Sequence, residues 1–174
     1  NNNIKSVDYL KEIINEINNE RNNCCVECAR ENPEFISINN GIFLCKNCVN
    51  NHLQLPKEVS NIIKNDLQKL TLNQIQYIYN GGNYNLLLFI NEFPLLPNFP
   101  PQLLYKTKAM DYYRKNLNHL IYAKNKPIKP SLNEAYDIIE YNNTNYNVNN
   151  EKYTNKLIEN ELSCSYLNKL NNID

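Results

Sequence analysis

Cys25-Val26-Glu27-Cys28, sixteen intervening residues, then Cys45-Lys46-Asn47-Cys48: this stretch decides the fold. Each Cys-x-x-Cys turn brings two sulfurs to one side of a tight loop. Two such turns facing each other make a tetrahedron of thiolates with metal–sulfur distances of about 2.3 Å, which suits Zn²⁺. Four ligands close the shell and leave no position for water or substrate, so the expected ion is structural. Cys24 precedes Cys25 and would give a Cys-x3-Cys spacing, which zinc sites also tolerate. The equivalence of the two knuckles favours Cys25, and the expected ligands are Cys25, Cys28, Cys45 and Cys48. Cys164 stands alone near the C-terminus and reads as an ordinary core or surface thiol.

Between the knuckles, Phe35-Ile36-Ser37-Ile38 and Ile42-Phe43-Leu44 are β-prone runs separated by Asn39-Asn40-Gly41. Asn-Gly is a hairpin signal because both residues accept positive φ. The second strand delivers Cys45 directly. A helix is then expected from about Cys45 through Val49 and His52 to Leu55, ended by Pro56. His52, following a completed set of four cysteines, reads as a packed or hydrogen-bonding histidine.

On the N-terminal side, Val7, Leu10, Ile13, Ile14 and Ile17 recur at helical spacing within 4–17. On the C-terminal side, Val59, Ile62 and Ile63 suggest a short helix, and 67–71 a strand or connector. Thr71 with Gln74 reads as a capping box opening a helix that carries Leu72, Ile75, Ile78 and Tyr79. Gly81-Gly82 stops it, and Asn83 starts another with Leu86, Leu87, Phe89 and Ile90 apolar. The four prolines of 94–101 predict an extended surface linker. A further helix is expected over about 107–123, with Ala109, Met110, Tyr113, Leu117, Leu120 and Ile121 recurring. The stripes of 4–17, 72–79 and 107–121 should face inward around the finger as one domain, 4–123. Residues 124–174 read as an extension, low in complexity over 141–150, with a last helical stripe over 153–170.

Composition narrows the function. The 174 residues fit one domain and an extension, and 18 basic against 18 acidic residues give a net charge of zero. That is no electrostatic footprint for nucleic acid or an anionic membrane. No apolar run has spanning length and no secretion signal stands out, so the chain reads as cytoplasmic. The 37 asparagines are read as compositional drift of the kind AT-rich genomes produce.

Asn32-Pro33, Phe35, Ser37, Gly41-Ile42-Phe43-Leu44-Cys45 and His52 resemble the zinc finger of the Arf GTPase-activating proteins (Arf-GAPs). So do Gly81-Gly82-Asn83, Tyr105-Lys106-Thr107-Lys108-Ala109 and Tyr113-Arg114. The resemblance covers roughly residues 10–123. It implies an α+β, mostly helical fold: a four-cysteine finger with a small sheet, surrounded by helices. It also implies a structural Zn²⁺ and docking on a GTP-bound Arf-type GTPase in vesicle traffic, with at most peripheral membrane association at Golgi or vesicle membranes; no nucleic-acid partner is expected, on the zero net charge. The implied partner face includes Phe35, Ile38, His52 and Leu53. The family supplies an arginine five residues after the fourth cysteine, and such a finger is worth about 10³–10⁵ in rate. Here that position is Leu53, and the chain's arginines are Arg21, Arg30 and Arg114.

Three functions follow as expectations. The first is an Arf-GAP-like binding module with impaired catalysis. The second is an active GTPase activator working through another residue, with Lys46 and Lys57 nearest. The third is a GATA-like DNA-binding zinc module, disfavoured by the zero charge and the lack of a Lys/Arg cluster beside Cys48.

Overall fold

A computed structural model describes residues 2–19 and 21–142. In chain order it contains α1 (Asn2–Asn19), β1 (Phe35–Ser37), β2 (Ile42–Leu44), α2 (Val49–Leu53), β3 (Ile62–Lys64), α3 (Leu72–Asn80), α4 (Asn83–Asn91), α5 (Pro101–Leu104) and α6 (Lys108–Tyr122). The strands form one antiparallel sheet in the order β2-β1-β3, with Ile36 opposite both Phe43 and Ile63.

Alternation along these short strands divides the interior. Ile36, Phe43 and Ile63 lie on one side with Ile13, Ile14 and Ile17 of α1 and Ile75 and Ile78 of α3. Phe35, Ile42, Leu44 and Ile62 lie on the other side, in a larger cluster with Leu86, Leu87 and Ile90 of α4, Leu104 of α5, and Ala109, Met110 and Leu117 of α6. The sheet is thus a thin partition between two apolar cores, and the helices expected at 4–17, 83–93 and 107–123 supply their walls.

The hairpin turn differs in detail from the expectation. Ile38–Asn40 form a 3-10 turn, and only Gly41 takes a positive φ, +63°. A Cβ on Gly41 would lie 2.4 Å from the Tyr77 carbonyl oxygen, and the Gly41 carbonyl accepts from Gly82 N at 2.8 Å. The turn is therefore seated on the end of α3, which only a residue without a side chain permits.

Four expectations are corrected. The short helix at 59–63 is a turn over 56–60 followed by β3. Ile38 N to Asn61 O and Asn65 N to Glu34 O (each 2.9 Å) fix β3 at both ends, where β-branched Ile62 and Ile63 suit a pleated edge. The helix after the finger starts at Val49, not Cys45, because Cys45–Cys48 are used by the knuckle turn. Residues 94–101 are not extended: Leu96–Asn98 make a 3-10 turn with Leu96 and Pro97 buried, and Pro101 opens α5, where a missing N–H costs nothing. Finally, Leu72, Tyr79 and Leu120 are 52%, 48% and 55% exposed. Those helices bury a narrower arc than their apolar residues mark.

Thr71 caps α3 with the expected reciprocal box to Gln74. Beyond α6 the chain turns back. Lys108 N and Ala109 N, unpaired donors of the first turn of α6, are taken by the carbonyls of Asp137 (2.9 Å) and Ala135 (3.1 Å), and Ala135 is buried. The stripe at 153–170, the low-complexity stretch from residue 143 and Cys164 lie outside the described residues.

Candidate metal centre and the polar chain behind it

The first knuckle is shaped by its backbone. Cys25 N donates to Arg30 O (2.8 Å), Ala29 N to Cys25 O (2.9 Å), and Ala29 takes φ +60° to close the loop. Val26 N donates to Phe43 O (2.9 Å), which ties the knuckle to the outer edge of β2. The second knuckle follows β2 directly, and Val49 N to Cys45 O (3.0 Å) turns it into α2.

These loops bring the sulfurs of Cys25, Cys28, Cys45 and Cys48 within 4.8 Å of one another, a possible metal site. Cys28 and Cys45 sulfurs are 3.6 Å apart. A tetrahedral Zn²⁺ with bonds of about 2.3 Å needs sulfur–sulfur edges of about 3.8 Å, so the donor set fits. Cys24 stands apart, its thiol directed at Arg21 O (3.4 Å). Without a cation the thiols compete. Hydrogen bonds from Cys25 and Cys48 hold the Cys45 thiol far below its ordinary range, while sharing those bonds pushes Cys25 and Cys48 up. A divalent ion is what lets all four ionise together.

Behind the knuckles runs a buried chain of hydrogen bonds. Glu27 Oε1 meets His52 Nε2 at 2.6 Å, His52 Nδ1 meets Ser60 Oγ at 2.7 Å, and Ser60 Oγ meets Ser37 Oγ at 2.7 Å. Asn40 Nδ2 donates to Ser37 Oγ (2.8 Å), and Arg114 donates to Asn40 Oδ1 (3.2 Å), to the Tyr105 carbonyl (3.0 Å) and to Tyr141 Oη (3.1 Å). All six linked side chains, Glu27 through Arg114, are buried. Burial holds the Arg114 pKa below its ordinary value. Ser60, His52 and Glu27 have the hydrogen-bond order of a nucleophile, base and orienting carboxylate. Ser60 and His52 are fully buried, however, and the cavity beside Glu27 holds about 10 Å³, room for about one water. No substrate reaches this set; it holds the fold.

The ArfGap family, described as "Putative GTPase activating protein for Arf", matches residues 10–131. The chain belongs to this family. Relatives include ADP-ribosylation factor GTPase-activating protein 3 of Bos taurus, 29% identical over 100 residues, 57% of this chain and 19% of that one. UBA domain-containing protein 3 of Schizosaccharomyces pombe is 29% identical over 104 residues, 60% of this chain and 17% of that one. The chain thus spans under a fifth of the length of these curated relatives. A crystal structure from Cryptosporidium parvum, of a "putative GTPase activating protein for ADP ribosylation factor", shares the fold: TM-score 0.56, 23% identity, 66% of this chain and 92% of that one.

The structure sorts the residues expected at the Arf-GAP partner face. His52 is fully buried, held between Glu27 and Ser60 with its ring 4.3 Å from that of Tyr105, and Ile38 is buried. Phe35 is half-buried. Leu53, at the position expected for the arginine, is half-buried against the larger core. Arg114 is committed to the interior, Arg21 lies 5.1 Å over the Tyr84 ring, and Arg30 is exposed on the first knuckle. Sequence reading missed Glu27, Ser37, Asn40 and Ser60 as partners of one network. The available signal was a histidine on the buried side of a short helix, which needs two polar partners.

Proposed function

We propose that this chain carries an Arf-GAP-type domain that docks on the GTP-bound form of an Arf-type small GTPase and stimulates hydrolysis weakly or not at all. Family membership supports the partner class, and Leu53 carries the second half. A hydrocarbon leaning on the core cannot supply the planar, permanently charged fork that meets phosphate oxygens. Cys25, Cys28, Cys45 and Cys48 hold a structural Zn²⁺ that fixes the knuckles and the start of α2. The setting is vesicle traffic in the cytoplasm, with peripheral attachment at Golgi or vesicle membranes; no described helix is long and apolar enough to cross one. We place the end of the globular unit near Tyr141, beyond residue 123, because Ala135 and Tyr141 are joined to its interior. The second reading is an active GTPase activator using Lys46 or Lys57, both exposed on the turns that flank α2. Titration of the full chain against a panel of Arf-type GTPases tests the proposal. Binding to the GTP form, stronger than to the GDP form, is expected. Equal affinity for both forms, or none for any member, overturns it.

A further inference from the structure

We propose that Glu27 and His52 are positioning residues that set α2 on the metal knuckle, so that the order of the knuckle is passed to the helix carrying residue 53. The assignment of α2 to a docking face rests on the function proposed above; its attachment to the knuckle does not.

Glu27 lies between two of the four clustered cysteines, and its carboxylate is buried. Its Oε1 is bonded to His52, and its Oε2 has no hydrogen-bond partner among the described residues. Among the described residues His52 is the side chain that holds this buried carboxylate, and losing it removes a bond that a buried charge needs. His52 sits in α2, four residues beyond Cys48 and one before Leu53. The Glu27–His52 bond therefore bridges the first knuckle to the helix that grows from the second. The metal would join the knuckles to each other; this bond joins them to α2.

The rest of the chain gives the bond a direction. One proton arrangement uses every donor with a neutral imidazole. Asn40 donates to Ser37, Ser37 to Ser60, Ser60 to His52 Nδ1, and His52 Nε2–H to Glu27. In that arrangement the bonds run in one direction from the Arg114 guanidinium to the Glu27 carboxyl group, with their dipoles aligned. That alignment fixes the imidazole plane as well as its depth. A helix of five residues, Val49–Leu53, has too few internal bonds to hold its own orientation, which makes such an anchor decisive.

The test uses the full chain, zinc-loaded, as native protein, Glu27→Gln, Glu27→Asp and Ser60→Ala. Nitrogen NMR of His52 should show the proton on Nε2 in the native protein. Amide hydrogen exchange should show protection at 49–55 falling on the order of tenfold in Glu27→Gln, with β1, β2 and α4 unchanged. Ser60→Ala cuts the chain one link further on with Glu27 still paired, so it should loosen the same segment less than Glu27→Gln does; Glu27→Asp, which draws the carboxylate back from His52, decides the matter if Glu27→Gln does not fold. Loss of protection spread evenly over the domain, or none at 49–55, overturns the proposal and leaves a bond of ordinary stabilising value. Neither measurement needs a GTPase, so failure of docking and failure of this coupling are read separately.

Discussion

Gly41 shows how much of this fold is set by single positions. Its φ of +63° and the Tyr77 carbonyl 2.4 Å from where a Cβ would stand exclude a side chain twice over. Gly41→Ala is therefore expected to lower stability by about 2 kcal/mol or more, from the left-handed backbone alone and then from the clash. Urea unfolding measures it, and an unchanged midpoint contradicts the seating of the hairpin on α3. At this scale the sequence is legible where the constraint is local. The cysteine spacing, Gly41 at the turn and the Thr71–Gln74 box each act within a few residues. Glu27 and Arg114 were not legible because their partners lie 25 and 74 residues away in the chain, and nothing local distinguishes them from surface charges.

Among elements, the misread segments have separate causes. Val59, Ile62 and Ile63 match a helical stripe, but the open edge of β1 captures β-branched residues in extended form, a tertiary choice that periodicity does not carry. The prolines of 94–101 were read as breakers, although Pro at the first position of a helix opens it, as Pro101 does for α5. The return of the chain onto α6 was invisible for another reason. It is made by backbone carbonyls, those of Ala135 and Asp137, with Lys108 Nζ and Asp137 adding a surface pair at 3.0 Å. Shortening the protein to end at Asn125 uncovers two N–H groups at the start of α6 and the place of Ala135 in the core. The shortened protein is expected to unfold at least 5 °C lower, from about 1 kcal/mol or more of lost capping and packing. Equal melting temperatures would show that residues 126–142 merely lie on the surface.

In the molecule as a whole, a thin sheet separates two cores, and the knuckle cysteines stand where β2, α2 and the larger core meet. Removing the metal should therefore reach beyond the finger. Four crowded thiols cannot all stay ionised without a cation, Cys25 and Cys48 take up protons, and the knuckle turns lose their common centre. Treatment with a strong chelator is expected to release one Zn²⁺ per chain and to abolish much of the helical far-UV signal. An unaltered spectrum after metal release would contradict the structural role.

The domain has the Arf-GAP fold, and we propose that it docks as an Arf-GAP does but lacks the chemistry, because Leu53 stands at the position expected for the arginine. Single-turnover GTP hydrolysis on a panel of Arf-type GTPases at saturating protein, native and Leu53→Arg side by side, tests it most directly. The native protein is expected to stimulate on the order of 10³-fold less than an arginine-bearing relative, and Leu53→Arg to recover part of that difference. Strong stimulation by the native protein, undiminished beside Leu53→Arg, would contradict it.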